Sequence, residues 1–307
     1  MTDAPARPTE PPAGGRAWLA GARPRTLPAA VVPVLVGTAC AAGVADQVVP
    51  WRAVAAGVVA LALQVGTNYA NDYSDGVRGT DHPGQRVGPV RLVGWGIKRP
   101  GAVKRAALLS FAVAGVAGAA LAAAVGPELV VVGLAAFAAG WFYTGGSHPY
   151  GYYGFGELFV FVFFGLVATI GSTYVHTESV TALSVVAAVP VGLLATALLV
   201  VNNLRDIPGD TASGKKTLAV RLGDGRTRAL YVALLVLAFV AVPIVAGGFD
   251  RAPAAVALVG VVLARNPVLR VLEGARGGAL IPVLGATGRV QLIAGALLAA
   301  GIWLGAP

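Results

Sequence analysis

Long apolar segments separated by short polar connections constrain this chain of 307 residues more than any other feature. A helix needs about 20 consecutive apolar residues to cross the roughly 30 Å hydrocarbon core of a bilayer, and it satisfies its own backbone hydrogen bonds there. Only 12% of the residues are charged and 56% are hydrophobic, whereas soluble domains have about 25% and about 45–50%. The sequence therefore predicts an all-α polytopic membrane protein.

The apolar segments give nine predicted spans. They are placed at 27–46, 53–70, 106–125, 129–144, 156–175, 180–201, 229–247, 252–269 and 289–305. The fourth is short, and the eighth contains Arg265 and Pro267 and is followed by Arg270, so that eight spans with an interfacial helix is the main alternative. Residues 1–15 are rich in proline, alanine and glycine and are expected to form a disordered tail, with 16–307 as a single transmembrane domain.

Basic residues concentrate on one side of the predicted bundle. Of the 23 lysines and arginines, all but Arg52 and Arg251 lie in the N-terminal tail or beside the connections that follow the second, sixth and eighth spans. Because basic residues favour the cytoplasmic side, we expect a cytoplasmic N-terminus and an outside C-terminus in the cell (inner) membrane. The net charge of +9 then reflects topology, and no nucleic-acid partner is expected. The single cysteine, Cys40, excludes an internal disulfide.

The polar residues gather in two long connections on the predicted cytoplasmic side, and the first acidic motif begins inside the end of span two. Asn68, Asp72 and Asp75 are spaced i, i+4 and i+7, so that they share one face if this segment is helical. Two carboxylates and an amide on one face at a membrane boundary are costly unless a cation or a partner charge is present. This spacing indicates a functional site.

A second acidic motif begins in the same way at the end of span six. Asn203 precedes Asp206 and Asp210, and Pro208 lies between the two aspartates. Proline removes a backbone donor and disrupts helices, so we expect the helix to kink or end there. Both motifs follow even-numbered spans that run toward the cytoplasm. We therefore align Asp72 with Asp206 and predict two similar helical halves whose acidic faces turn to one cavity.

Carboxylate and amide oxygens are hard ligands that suit Mg²⁺, and the sequence holds no His/Cys cluster of the kind that zinc favours. Two such sites that face each other are suited to two Mg²⁺ ions around a diphosphate, with Arg78, Lys215 and Arg221 neutralising phosphate charge. The segment that starts at Gly214 lacks the first glycine of a P-loop, so a nucleotide site of that kind is not expected. A diphosphate site at the end of a membrane helix fits a lipid diphosphate.

Ionisation of an allylic diphosphate leaves a carbocation, which needs dry surroundings and is stabilised by aromatic faces. Metal ions assist this step by stabilising the diphosphate as it leaves. The aromatic side chains near the predicted inner ends of spans two and four are the candidates for the carbocation: Tyr69, Tyr73, Trp141, Phe142 and Tyr143.

In these motifs, and over nearly its whole length, the chain resembles the UbiA-type intramembrane prenyltransferases. The family pattern N-x-x-x-D-x-x-D matches Asn68, Asp72 and Asp75, and its second acidic motif matches Asp206 and Asp210. Four stretches are most similar to the branch of the family that prenylates 1,4-dihydroxy-2-naphthoate in menaquinone synthesis: RPRTLPAAVVPVLVGTA from Arg23, NDYSDGVRGTD from Asn71, YTGGSHPYGYYGFGE from Tyr143 and GKKTLAVRLG from Gly214. No Lys-Arg pair follows the tyrosine of span four, unlike the 4-hydroxybenzoate branch.

The resemblance implies a bundle of about nine helices around a central cavity that opens to the cytoplasmic side, with Mg²⁺ as cofactor. The implied Mg²⁺ and diphosphate ligands are Asn68, Asp72, Asp75, Asp206 and Asp210, of which the four aspartates are catalytic. The expected substrate-binding residues are Asn68, Arg78, Asp81, Tyr143, Asn203, Lys215 and Arg221. The implied reaction transfers a polyprenyl group from a polyprenyl diphosphate to 1,4-dihydroxy-2-naphthoate and gives demethylmenaquinone, CO₂ and diphosphate.

Other functions stay open on the sequence alone. A prenyltransferase for another aromatic acceptor would carry the same motifs. A cation-coupled transporter would place polar residues on broken helices near the bilayer midplane, whereas here they lie at one face. A structural membrane subunit would tolerate the loss of Asp72. Arg23 and Arg25 either meet the anionic acceptor or anchor the first helix.

Overall fold

The computed structural model describes residues 12–81, 88 and 90–307, and all regular structure within them is helical. This confirms the predicted all-α class. We number the helices α1 Gly14–Ala22, α2 Pro28–Ala41, α3 Pro50–Arg78, α4 Pro100–Ala124, α5 Glu128–Phe142, α6 Gly156–Thr177, α7 Ala182–Ala212, α8 Leu218–Gly248, α9 Ala252–Leu272 and α10 Gly277–Leu304. Residues 1–11 of the predicted tail lie outside the described residues, and α1 begins at Gly14.

Seven helices, α3, α4 and α6 to α10, are long and apolar enough to cross a bilayer, and α9 covers the uncertain eighth span. The segment Gly14–Thr26, which includes α1, is bent by 52° against α2. The two together count as an eighth span if they are taken as one unit. Pro28 occupies the first position of α2, where its missing N–H costs no helical hydrogen bond. The helix α5 has 15 residues, or about 22 Å, which is short for a bilayer core. The described residues thus hold seven or eight apolar spans.

The helix α7 lies at the centre of the bundle. In its most apolar window, 72% of the residues are buried, the largest share among the long helices. It packs along α8, while α3 packs along α4 and α10 packs against α2. The expected end of the helix at Pro208 is wrong, because α7 continues through Pro190 and Pro208 to Ala212. The second acidic motif therefore stays on a helix, as the first does.

Close approach of α6 and α7 depends on two glycines. Residues Phe161–Val167 of α6 are wound as a π-helix, in which the wider i→i+5 hydrogen bonding changes the direction of the side chains. A Cβ atom added to Gly165 in this segment would lie 2.5 Å from the Cα atom of Gly192. Small residues at such crossings let helices pack backbone to backbone within a membrane.

Arg52 and Arg251, the two exceptions to the charge pattern, both bind backbone carbonyls at helix ends. Arg52 donates to Val175 O at 2.9 Å and to Ala124 O at 3.3 Å. Arg251 donates to Ala42 O at 2.9 Å and to Ile302 O at 3.3 Å. The last carbonyls of a helix lack intrahelical donors, and cations there also interact favourably with the helix dipole. These arginines close the end of the bundle opposite the acidic motifs.

Candidate active site

A cavity of about 820 Å³ lies between α1 to α7 and the start of α10, and its wall is polar at one end and apolar at the other. The polar side chains in the wall include residues of both acidic motifs and their neighbours: Gln64, Asn68, Asn71, Asp75, Asn202, Asn203, Asp210 and Lys215. The apolar wall includes Val59, Leu63, Phe137, Phe159, Phe163 and Val167. A cavity with this division suits a ligand that has a charged head and a long apolar chain.

Asp75 is the carboxylate of the first motif that lines this cavity. Its Oδ1 accepts a hydrogen bond from the Tyr152 hydroxyl at 2.6 Å, and its Oδ2 lies 3.0 Å from Lys215 Nζ. The ammonium group also lies over the Tyr152 ring, 4.6 Å from its centroid. Burial, and then the charge of Asp75, raises the pKa of the Tyr152 hydroxyl, which keeps it protonated as a donor. Lys215 follows α7, so this contact joins the two motifs.

Asp72 is directed elsewhere, although it shares the helix with Asp75. Its Oδ2 accepts the backbone N–H of Leu92, and its Oδ1 accepts that of Val93, both at 2.9 Å. The side chain is buried and is not part of the cavity wall. The predicted metal-binding role of Asp72 stays a prediction, while its hydrogen bonds show it holding the connection between α3 and α4.

The second motif divides its carboxylates in a similar way. Asp206 forms a two-bond pair with Arg205, whose Nε and Nη2 each lie 2.8 Å from a carboxylate oxygen. Arg205 also donates to Asn202 Oδ1 at 2.8 Å. Asp206 lies outside the cavity wall, whereas Asp210 is part of it and lies 3.5 Å from the Thr217 hydroxyl.

Two asparagines tie the motifs to neighbouring segments. Asn68 donates to Ala22 O at 2.9 Å and to Thr26 Oγ1 at 3.2 Å, which joins α3 to the corner between α1 and α2. Asn203 donates to Glu157 Oε1 at 2.9 Å, which joins α7 to the start of α6. Both amides line the cavity, as the sequence led us to expect for substrate-binding residues.

Three predicted substrate-binding residues lie outside the cavity wall. Arg78 donates to the backbone carbonyls of Thr144 and Gly146. Asp81 is buried and lies 3.1 Å from Arg91 Nε. Arg221 is exposed and donates to Lys216 O at 3.1 Å. Of the other predicted residues, Tyr143 and Lys215 do line the cavity.

The structure also brings in residues that the sequence reasoning missed. Asn71 lines the cavity one position before Asp72, and its Oδ1 accepts from the Thr144 hydroxyl at 2.8 Å. Its i, i+4 spacing from Asp75 was a signal that was available. Tyr152 and Arg91 also line the cavity but lie outside the long helices, where helical periodicity gives no signal.

The predicted aromatic set changes as well. Of the five candidates, Tyr143 lines the cavity, whereas Tyr69, Tyr73, Trp141 and Phe142 do not. The aromatic rings in the wall are Phe137, Tyr143, Tyr150, Tyr152, Phe159, Phe163 and Phe164. Tyr150 and Phe159 are stacked, with 3.9 Å between ring centroids, so that packed aromatic rings form the wall beside the polar end.

The donor set fits a metal ion that is shared with a ligand. Asp75, Asp210, Asn71 and Asn203 offer hard oxygens in one cavity. In the part of the chain that the structure describes, no group of three or more His, Cys, Asp or Glu side chains is placed to hold a metal ion by itself. Mg²⁺ commonly takes only one or two carboxylates and completes its shell with water and substrate phosphates.

Comparison with known proteins gives a family and relatives that agree with the geometry of the cavity. The sequence profile described as the UbiA prenyltransferase family matches residues 30–274. The 1,4-dihydroxy-2-naphthoate octaprenyltransferase of Mycobacterium leprae is 50% identical over 289 residues, which are 92% of this chain and 97% of that protein. The protein of the same name from Escherichia coli is 39% identical over 72% of this chain and 73% of its own length.

Solved structures agree in fold. The structure of a UbiA homolog from Archaeoglobus fulgidus bound to DMAPP and Mg²⁺ has a TM-score of 0.60 and covers 93% of this chain and 98% of its own. Its sequence identity is 16%, so the likeness concerns the fold alone.

Proposed function

Because the chain belongs to the UbiA prenyltransferase family, we propose that it is the enzyme that transfers a polyprenyl group from a polyprenyl diphosphate to 1,4-dihydroxy-2-naphthoate. The naphthoate as acceptor is supported by the names of relatives up to 50% identical over most of the chain. The observation that carries the proposal is the cavity of about 820 Å³, whose charged end holds Asp75, Asp210 and Lys215 and whose other end is apolar. A diphosphate fits the first, and a polyprenyl chain fits the second.

The reaction breaks the allylic C–O bond of the donor, and the electron pair leaves with the diphosphate. The ring carbon that carries the carboxylate forms the new C–C bond and becomes part of a β-keto acid. Loss of CO₂ returns the electron pair of the C–carboxylate bond to the ring. The product is therefore at the hydroquinone level, and demethylmenaquinone requires a further two-electron oxidation that this transfer does not supply.

The polar wall binds and orients the diphosphate. Asp75, Asp210, Asn71 and Asn203 would hold Mg²⁺, which supplies positive charge to the departing diphosphate. Lys215 is a fixed cation beside Asp75 at 3.0 Å and pairs with phosphate oxygens. Tyr152 keeps the Asp75 carboxylate oriented through its 2.6 Å hydrogen bond.

The apolar wall binds the prenyl chain and excludes water. Tyr143, Phe159 and Phe163 line it next to the polar end, where the carbocation forms. Their ring faces stabilise positive charge, and the absence of water prevents hydrolysis of the cation. The distribution of basic residues supports a cytoplasmic opening for the polar end in the cell membrane, with the C-terminus outside.

The test is turnover by the purified full-length protein. Polyprenyl diphosphate and 1,4-dihydroxy-2-naphthoate are supplied with Mg²⁺ or with EDTA, and diphosphate, CO₂ and prenylated product are measured. We expect Mg²⁺-dependent formation of all three by the wild type and by Asp224→Asn, a partly exposed carboxylate beside Arg228 and away from the cavity. Asp75→Asn is expected to lower turnover by about 10³-fold.

Each other outcome of this assay counts against a definite part of the proposal. Product formation only with another aromatic acceptor would overturn the naphthoate assignment. Undiminished turnover in EDTA would overturn the role of Mg²⁺, and activity retained by Asp75→Asn would overturn the assigned site.

A further inference from the structure

The connection between α3 and α4 carries a cation that neither acidic motif predicts. Arg91 has 4% of its surface exposed, and it lines the cavity. Its Nε lies 3.1 Å from Asp81 Oδ2, and Asp81 lies outside the cavity wall. Among the described residues, Nη1 of Arg91 has no hydrogen-bond partner. Guanidinium offers five donors in a fork that matches carboxylate and phosphate oxygens, so this placement suits an anionic ligand in the cavity.

Asp72 fixes the backbone next to this arginine. It accepts the N–H groups of Leu92 and Val93, the two residues that follow Arg91, at 2.9 Å each. Hydrogen bonds from backbone N–H groups to a carboxylate are charge-assisted and stronger than neutral ones. Leu92 is fully buried and packs with Tyr69 and its neighbours. The backbone beside Arg91 is therefore held by both polar and apolar contacts.

The rest of this segment, residues 91–98, forms a compact loop. Trp95 N–H donates to Arg91 O at 3.2 Å, and Lys98 N–H donates to Leu92 O at 2.8 Å. A Cβ atom on Gly94 would lie 2.5 Å from the carbonyl oxygen of Asp81, so only glycine permits this approach. These contacts make the loop a defined support for the arginine side chain.

We propose that Asp72 is a positioning residue, which holds residues 92 and 93 so that Arg91 meets an anionic oxygen group of a substrate. The identity of the substrate rests on the proposed function. Two anionic groups enter the cavity in that reaction, the diphosphate of the donor and the carboxylate of the acceptor, and arginine pairs with both. In this role Asp72 acts through Arg91 and contacts neither the substrate nor the metal ion.

The kinetic test compares Asp72→Asn, Arg91→Gln and the double variant in the full-length enzyme. We expect about a tenfold rise in KM for one substrate in each single variant, from the loss of one charge-assisted hydrogen bond. The KM of the double variant should be no higher than that of the more impaired single variant, because both changes remove the same interaction. The Mg²⁺ concentration that gives half-maximal activity should stay unchanged.

The matched control is Arg99→Gln, which removes an exposed positive charge just before α4. A rise confined to the KM of the polyprenyl diphosphate assigns the diphosphate to Arg91, and a rise confined to the naphthoate assigns the carboxylate. Unchanged KM values in Arg91→Gln overturn the proposal, and so does a shifted Mg²⁺ requirement in Asp72→Asn. Arg91→Gln leaves the contacts of Asp72 intact, so it decides the matter even if Asp72→Asn fails to fold.

A second measurement needs no turnover and so remains valid if the proposed substrates are wrong. Cys40 is the only cysteine, so that Cys40→Ala with Lys98→Cys gives one site for a spin label at the end of the loop. We expect Asp72→Asn to increase the mobility of the label, whereas Arg91→Gln and Asp75→Asn leave it unchanged. Unchanged mobility in Asp72→Asn overturns the positioning role.

Discussion

The two acidic motifs end different helices, yet each divides its carboxylates in the same way. At the end of α3, Asp75 lines the cavity and Asp72 is hydrogen-bonded to the backbone. At the end of α7, Asp210 lines the cavity and Asp206 is paired with Arg205. In each motif, one carboxylate lines the cavity and the other holds neighbouring parts of the protein in place.

The comparison also changes which residues of the two motifs are equivalent. The sequence reasoning aligned Asp72 with Asp206. When the motifs are aligned by the residues that line the cavity, Asp75 corresponds to Asp210. Seven residues before these aspartates lie Asn68 in the first motif and Asn203 in the second. The two halves thus place an amide and a carboxylate two helical turns apart on the cavity side.

The largest effect is expected from the two carboxylates that line the cavity. Asp75→Asn and Asp210→Asn keep the shape of the side chain but remove its charge, and each should lower kcat by about 10³-fold, the upper range for losing one electrostatic contact in a catalytic site. The measurement is turnover at saturating substrates and Mg²⁺. If kcat falls by less than tenfold in only one of the two variants, the two carboxylates do not have equivalent roles.

The next effect is expected on stability, at the structural carboxylate of the second motif. Arg205→Gln leaves Asp206 buried without its two-bond partner, and both side chains are only 2% exposed. Breaking a buried ion pair costs about 3–5 kcal/mol of unfolding free energy. Thermal unfolding in detergent should show this loss, and Arg205→Gln combined with Asp206→Asn should recover much of it. If the double variant regains no stability, the ion pair of Arg205 and Asp206 is not the cause of the loss.

A smaller difference is expected between the two asparagines. Asn203→Ala removes the donor to the buried carboxylate of Glu157. Asn68→Ala removes a donor to two neutral acceptors, Ala22 O and Thr26 Oγ1, and the second of these keeps Gln64 as a donor. Hydrogen bonds to charged groups are worth about 1.5–3 kcal/mol and neutral ones about 0.5–1.5 kcal/mol. Unfolding of the two variants under identical conditions checks the order, and a larger loss for Asn68→Ala would reverse it.

The smallest effect is expected at Arg221, which the sequence reasoning placed at the substrate. Its exposed side chain donates to Lys216 O and lies outside the cavity wall. We expect Arg221→Gln to change kcat/KM less than twofold, while Lys215→Gln, beside Asp75, lowers it strongly. Equal losses in both variants would return Arg221 to the site.

The sequence predicted much of this arrangement because hydrophobic length and helical spacing are local properties. Each of the nine predicted spans overlaps a helix, although only seven or eight spans in the described residues are long and apolar enough to cross a bilayer. Residues of both motifs line one cavity. The positions of Asp72 and Asp75 in the chain do not reveal their roles, since these depend on which neighbour each side chain meets. Leu92, Val93 and Lys215 are those neighbours, and all three lie in connections whose course no periodicity describes.

The short helix α5 has a consequence for the length of the lipid product. Ala139 is its only buried residue, and the helix contributes to the cavity wall while being shorter than a bilayer core. We expect that a wall this short leaves the far end of a long isoprenoid outside the cavity, so that it sets no fixed chain length. The number of isoprene units should then be decided by the synthase that makes the donor, and this enzyme should accept donors of several lengths with similar rates.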